Sequence, residues 1–491
     1  LAADTFTNPK TLARLLRLLE REPAPAAVPE RDALWTLGVR HHLQQDKPRA
    51  AWALLERRRL LRWQPPPRRL GNTRVARRWE ALRALRAKPK QYRAELDAAS
   101  ALLRALEAQP LSLQSIQAAL GGAALLQAHA IGPGRWVWFL VTADAVQHIA
   151  SGPLPKDGTL PAAVSARLDK TVPKGSVLYV DTGELVERPL WQLRLPKSTL
   201  GRRYLVSEAL SATYLIAARR ARNNPQGPVL AIGATSASTQ PRGIPAALVD
   251  ADVMRVHAQR RRGIYVGLRG RLQTEAFAPP GQATITFSLA DAKGESQHLD
   301  LSDIGGHELD ANIAVFGSLD THPRARRLLT QAALLAGIPT VVVGANKWAD
   351  VNVASALIEQ GQRQRHATAF ARLLRDTDAT PQLHLLGAAG MRYAERVEYA
   401  VEQLLGQAAR ASAAFKEARQ RNADEAWRQA KAIFDPLIET VGFLNTEASR
   451  AVLQRSSQPR ARAILQHLPR LTTSNRTALA QIQAEIGRAH V

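Results

Sequence analysis

A serine and a histidine are spaced as a nucleophile and its base could be. Ser318 follows the apolar run Ile313–Gly317, and His322 lies just beyond it. A serine at a sharp turn after a strand could attack a carbonyl if the imidazole took its proton. The Gly-x-Ser-x-Gly flanks of a nucleophile elbow are absent, however, and serine is also common in ordinary turns. A hydrolase that uses Ser318 is one alternative interpretation.

Several other kinds of chemistry are excluded by residue type. The 491 residues include no cysteine, which removes disulfides, thiolate metal sites and cysteine nucleophiles. No Gly-x-x-x-x-Gly-Lys-Ser/Thr or Gly-x-Gly-x-x-Gly motif follows a predicted strand. The 12 histidines form no helical pair beside a third ligand. We therefore expect neither a metal nor a cofactor.

Positive charge is the strongest compositional signal. The chain has 67 Lys and Arg against 42 Asp and Glu. Residues 1–110 hold 23 of the basic residues and 11 of the acidic ones. Such charge could neutralise nucleic-acid phosphates or meet an acidic protein face, or it could simply form a solvated helix face. No aromatic residues suited to base stacking are interleaved, so nucleic acid is kept only as an alternative partner. The predicted partner-binding residues are Arg57, Arg58, Arg59, Arg62, Arg68, Arg69, Arg74, Arg77 and Arg78.

Helix periodicity dominates the first part of the chain. Between Pro9 and Leu106, apolar residues recur at intervals of three and four, and proline-rich breaks divide the region into short helices. One predicted hairpin carries Gly38 and His41 on its first helix and Leu54 on its second. These offsets resemble a tetratricopeptide repeat, in which a small residue lets two helices approach closely.

The middle of the chain alternates between strand and helix patterns. This alternation predicts an α/β fold with a mainly parallel sheet covered by helices on both faces. A polar insertion, Thr284–Leu289 with Gln297–Leu301, predicts a hairpin beside the main sheet. The predicted strands are Trp136–Val141, Val177–Val180, Val229–Ile232, Ile264–Leu268, Ile313–Gly317 and Thr340–Gly344. The predicted helices are Ser207–Arg222, Ala246–Arg260, Pro323–Ala336 and Val351–Arg375.

Helix periodicity returns after Met391 and continues towards Val491 without a further strand signal. We predict helices over Tyr393–Leu405, Ser412–Phe434 and Ala448–Leu468. The predicted regions are a basic helical region 1–110, an α/β domain 111–390 and a helical region 391–491. Within the domain, 111–200 holds a β-hairpin and the first strand, and 201–390 the core. No apolar run reaches the ~18 residues of a membrane span.

The order of several segments carries a family resemblance. Leu125–Val146 reads as an opening β-hairpin, and Val177–Leu185 with Arg188–Leu193 as a strand followed by a turn. Gly337–Val343 reads as a later strand. In this order and spacing the chain resembles the CHAT domain, a caspase-like peptidase family that accompanies tetratricopeptide repeats in bacteria. The resemblance covers Leu113–Leu405 and implies a caspase-like α/β fold.

The resemblance also points to the catalytic positions. Active members carry a histidine and a cysteine at the ends of two neighbouring strands, and the corresponding residues here are Arg269 and Leu319. Their neighbours Gly270, Asp320 and Thr321 match the family or nearly so. Arginine stays protonated near pH 7 and leucine has no nucleophilic atom, so neither can replace the dyad. The resemblance thus implies a pseudo-peptidase and not an enzyme.

Three further expectations follow from this interpretation. We expect Arg269 and Asp320 to form an ion pair in the former active site. We expect the protein to act as a scaffold or regulatory subunit for another protein, such as an active peptidase or another operon partner. We expect a bacterial cytoplasmic location, with export left open because the chain begins at Leu1.

Overall fold

A computed structural model defines the architecture of the protein. It describes residues 29–62, 113–132, 135–151, 158–182, 188–212, 215, 218, 230–232, 263–266, 269–273, 284–288, 296–300, 311–317, 319–320, 326–327, 329–330, 333, 338–344, 351–376, 383–421 and 423–488. Among these residues, no helix combines the length and apolar character needed to cross a membrane.

A hairpin of two helices precedes the sheet in the chain. Helix α1 (Pro29–Gln44) and helix α2 (Pro48–Arg62) are joined by a short turn in which Asp46 adopts a positive φ of 53°. Pro48 suits the first position of α2, because a helix leaves that backbone N–H without a partner and proline has none. The predicted hairpin is confirmed, and its repeat-like identity stays a prediction.

Ten strands form the main sheet, in the order β3-β2-β1-β4-β7-β16-β15-β13-β9-β8. A second sheet, in the order β12-β11-β10-β14, contains the predicted polar hairpin. The strands are β1 Ala124–Gly132, β2 Arg135–Val141, β3 Val146–Ser151, β4 Val177–Asp181, β5 Arg194–Leu195, β6 Ser198–Thr199, β7 Leu205–Glu208, β8 Leu230–Ile232, β9 Ile264–Val266, β10 Arg269–Gln273, β11 Thr284–Ser288, β12 Ser296–Asp300, β13 Ile313–Phe316, β14 Leu319–Asp320, β15 Thr340–Gly344 and β16 Leu383–Gly387.

Strands β3, β2 and β1 of the main sheet are antiparallel neighbours, and strand direction reverses once more between β1 and β8. Strands β1, β4, β7 and β16 run parallel to one another, and so do β15, β13, β9 and β8. Strand β16 pairs with β15 in the antiparallel sense. The carboxyl ends of β4 and β7 therefore lie at one edge of the sheet, and those of β9 and β13 at the opposite edge.

Helices cover both faces of the β1–β4 part of the sheet. Tyr179 packs with Trp35 and Trp52 of the N-terminal hairpin on one face. Leu178 packs with Leu168, which lies in the helix before β4, on the other. Alternate side chains of a strand point to opposite faces, so the apolar residues Val177–Val180 of β4 serve both layers. In the described parts of the chain between the hairpin and residue 392, the α-helices are α3 Leu113–Leu120, α4 Ala162–Thr171, α5 Leu200–Arg203, α6 Val351–Arg363 and α7 His366–Asp376.

The described C-terminal part is a bundle of four helices: α8 Tyr393–Arg421, α9 Asp424–Leu444, α10 Glu447–Arg455 and α11 Pro459–Arg488. Its apolar core includes Phe434 and Leu437 of α9 and Leu468 of α11. Arg396 of α8 is buried and donates a hydrogen bond of 2.5 Å to Asn312, which directly precedes β13. This contact ties the bundle to the sheet.

The α/β expectation is confirmed in its coarse form, and several predicted boundaries are wrong. Ser207, the first residue of the predicted helix Ser207–Arg222, lies in β7, and helical structure begins only at Ala212. Strand β16 was not predicted at all. The predicted helix over Ser412–Phe434 is split by the start of α9 at Asp424, and Val351–Arg375 forms two helices. The predicted helix Ala246–Arg260 lies outside the described residues.

Candidate functional site

The predicted dyad positions are brought side by side. Arg269 begins β10 and Leu319 begins β14, directly after the parallel neighbours β9 and β13. Strands β10 and β14 also pair in parallel, with Gly270 opposite Leu319. Ser318 and Thr321 lie outside the described residues. The sequence therefore located two adjacent positions, although it placed them at strand ends and not at the starts of two further strands.

The ladder of β10 and β14 gives the backbone register of Arg269 and Asp320, and their expected ion pair stays a prediction. Asp320 stands opposite Arg271 in the β10–β14 ladder, and Arg269 precedes that position by two residues. The first pair of this ladder is Gly270 with Leu319, and Asp320 is the next residue of β14. Arg271, and not Arg269, is the register partner of this carboxylate.

The predicted arginine cluster is described only in part. Arg57, Arg58, Arg59 and Arg62 lie in the last part of α2, and their backbone alone is described. The remaining members, Arg68, Arg69, Arg74, Arg77 and Arg78, lie outside the described residues. The residue before this cluster, Glu56, is buried and belongs to a different site.

A buried charged cluster, which the sequence did not predict, lies at the carboxyl ends of β4 and β7. Asp181 is the last residue of β4, and Arg327 donates from Nη1 to its Oδ1 at 2.9 Å. Both side chains are almost wholly buried, at 0% and 3% exposure. Arg327 also donates from Nη2 to the carbonyl of Leu210 at 2.9 Å. The guanidinium thus links a strand end to the chain segment that follows β7.

Gln127 connects this ion pair to the N-terminal hairpin. It is the register partner of Asp181 on β1, and its Nε2 donates to Asp181 Oδ2 at 3.3 Å and to Glu56 Oε1 at 2.7 Å. Its Oε1 accepts a hydrogen bond from Trp52 Nε1. The second oxygen of Glu56 accepts from the backbone N–H of Ala212 at 3.1 Å. Glu56 therefore joins α2, β1 and the start of the helical turn after β7.

Glu208 and His384 add a second titratable pair to the buried charged cluster. Burial raises the pKa of Glu208, and the nearby Arg326 and Arg327 oppose that shift. Burial, and then the charge of Arg326, lower the pKa of His384 well below its ordinary value. The His384 Nδ1 lies 3.9 Å from Glu208 Oε2 and has no hydrogen-bond partner. Because both shifts favour the neutral forms, this contact is not an ion pair at neutral pH.

The hydrogen bonding of the cluster indicates a structural role. Both oxygens of Asp181 and both oxygens of Glu56 already accept hydrogen bonds from protein donors. Carboxylates saturated in this way hold elements together and have little capacity left for a substrate. In the part of the chain that the structure describes, no group of three or more acidic or histidine residues is placed to hold a metal ion.

One sequence signal could have pointed to this cluster. Asp181 ends a strand whose four other residues are apolar, at the edge where open α/β sheets carry their functional residues. Nothing in the sequence pairs it with Arg327, since 146 residues separate the two.

Neither a protein-family model nor a curated protein sequence matches the chain.

Proposed function

We propose that the protein is a catalytically inactive, CHAT-type pseudo-peptidase that acts by binding another protein. The observation that carries the proposal is the register of β10 and β14, which sets Gly270 opposite Leu319. Two positions that correspond to the dyad of the family are thereby neighbours in space, and they hold an arginine and a leucine.

The residue types remove covalent catalysis while leaving the scaffold. An active site of this kind needs a thiolate and an imidazole to accept its proton. Arg269 cannot act as a general base near pH 7, and Leu319 offers no electron pair for attack. A sheet edge that once received an extended peptide can still bind one through its backbone groups without cutting it. The partner class is a protein, with an active peptidase or another operon partner as the first candidates.

A direct experiment restores the dyad. The chain has no cysteine, so a thiol-directed reagent reports only on an introduced residue. We expect Arg269→His with Leu319→Cys to react with iodoacetamide already well below pH ~8.5, because an adjacent imidazolium stabilises the thiolate and lowers the pKa of the thiol.

The control places the thiol elsewhere. Ser457→Cys lies in the exposed connection between α10 and α11 and should titrate as an ordinary thiol near pH 8.5. If the restored pair follows the same pH curve as this control, the two positions do not form a dyad. Peptide turnover by the unmodified protein, or its labelling at Ser318 by a fluorophosphonate, would contradict the pseudo-peptidase proposal.

A further inference from the structure

A long acid-free segment forms the end of the C-terminal bundle. Residues 448–484 contain six arginines and no aspartate or glutamate. This segment runs through α10 and most of α11. It holds Arg450, Arg455, Arg460, Arg462, Arg470 and Arg476, all of which are exposed.

Helix α11 presents two distinct sides. Its buried side includes Ala461, Ile464 and Leu468, which pack in the core of the bundle. At 100° per residue, Arg462 and Arg470 fall on the side that faces away from these three. They are separated by about 12 Å along the helix axis, given a rise of 1.5 Å per residue. The outward side of α11 therefore carries two arginines in its first half.

The arginines of this surface lack the carboxylate partners found elsewhere in the bundle. On α8, Arg421 pairs with Glu417 at 2.9 Å, and on α9, Lys431 pairs with Asp435 at 2.6 Å. By contrast, no described acidic side chain pairs with any of the six arginines of residues 448–484. Arg462 donates only to backbone carbonyls of the loop before α11. Among the described residues, no carboxylate therefore competes with an external anion for the arginines of α11.

We propose that the outward side of α11 binds the phosphate backbone of double-stranded DNA. Exposed arginines that lack carboxylate partners are the footprint of a phosphate-binding surface. Gln466, which lies between Arg462 and Arg470, is exposed and uncharged, and an α-helix fits the ~12 Å major groove of B-form DNA. A-form RNA has a major groove too narrow for this approach.

The absence of aromatic residues also selects a duplex. Residues 448–488 contain no Phe, Tyr or Trp. Binding of single strands relies on such rings to stack the bases. Phosphate contacts carry no sequence information, so we infer binding without sequence preference. This inference does not rest on the pseudo-peptidase proposal.

The test is a salt titration of DNA binding. A fluorescein-labelled 20-base-pair duplex is titrated with the full chain between 50 and 200 mM KCl, and the slope of log K against log salt is measured by anisotropy. We expect Arg462→Gln with Arg470→Gln to reduce that slope by about 2, because each lost phosphate contact contributes about 0.9. The matched control is Arg419→Gln with Arg421→Gln on α8, which removes the same charge and should leave the slope unchanged.

Each other outcome counts against the proposal. Equal slopes for the two double variants would show that the outward side of α11 makes no phosphate contact. Loss of binding only on substitution of Arg57, Arg58 and Arg59 would assign it to the N-terminal cluster. Tighter binding to single-stranded DNA, duplex RNA or polyglutamate than to the DNA duplex would assign the surface to that ligand. Thermal melting of each variant establishes that the fold is retained.

Discussion

Among single residues, Asp181 and Arg327 form a buried ion pair on which the free energy of unfolding depends. Removing one member of a buried ion pair leaves the other charge buried without a partner and out of contact with water. We expect Asp181→Asn to destabilise the protein by about 3–5 kcal/mol in guanidinium unfolding. The matched control is Asp169→Asn, whose partner Arg203 lies 3.0 Å away at the surface. Exposed pairs contribute little, so the control should lose no more than ~1 kcal/mol. Equal losses would contradict the buried character of the Asp181 pair.

His366 predicts a pH dependence of stability. It is the first residue of α7, and burial, followed by the charge of Arg396, lowers its pKa to about 3. Between that value and the ordinary pKa near 6.5, the unfolded chain binds a proton that the folded chain does not. Stability therefore falls as the pH decreases through this window, by about 1.4 kcal/mol per pH unit for this one group.

The measurement compares slopes and not absolute stabilities. Urea unfolding of the natural chain and of His366→Asn, each between pH 6 and pH 4, should differ in slope by that amount. A comparison of this kind cancels the contribution of the carboxylates, which both proteins share. Parallel curves would mean that His366 is protonated in the folded state.

At the scale of elements, the junction of β16 with β15 depends on one glycine. Gly387 has a φ of +86°, and a Cβ at this position would lie 2.3 Å from the carbonyl oxygen of Pro339. We expect Gly387→Ala to cost more than ~1–2 kcal/mol, since the left-handed backbone is strained and the contact is too close. Gly406→Ala is the control, because it lies within α8 with open space around it. That substitution should stabilise the protein by about 0.5–1 kcal/mol, and the reverse order of the two would refute the argument.

The attachment of the N-terminal hairpin can be tested in the same way. Glu56→Ala removes one of the two acceptors of Gln127 Nε2 and the acceptor of the Ala212 N–H, and an unsatisfied buried donor costs about 1–3 kcal/mol. We expect faster amide exchange over residues 29–62, measured by mass spectrometry, while α8 and α9 stay protected. Arg49→Ala, at an exposed position of the same helix, should leave the exchange unchanged. Protection lost equally in both variants would exclude a special role for Glu56.

The sequence predicted elements well where the pattern was local. Strand β15, Thr340–Gly344, is a run of β-branched residues bounded by turn residues, and its predicted bounds are confirmed. Strand β16, Leu383–Gly387, has no β-branched residue and no alternation, so nothing in its sequence separates it from a helix. Ser207 and Glu208 were misread because the polar residues of β7 are buried by distant partners. Likewise, the buried charged cluster depends on contacts between remote segments, which single-sequence patterns do not contain.

At the scale of the whole molecule, the net charge of +25 opposes the compact state. Like charges repel one another across the surface, and salt screens this repulsion within a Debye length of about 10 Å at 0.1 M. We expect the melting temperature to rise between 20 and 300 mM KCl in scanning calorimetry. An uncharged solute of equal osmolality is the control and should produce a smaller rise. A melting temperature that falls with salt would mean that favourable ion pairs outweigh the repulsion.

The span of the buried charged cluster also has a consequence for how the chain folds as it is made. The carboxylate of Asp181 leaves the ribosome 146 residues before its cation, Arg327. At about 5–20 residues per second, that interval is on the order of 10 s. Because a buried charge without its cation is costly, we expect Asp181 to stay in contact with water during this interval and the β1–β4 layer to stay incompletely packed against the hairpin. We therefore expect the packing of the β1–β4 layer to be completed only after Arg327 has been synthesised.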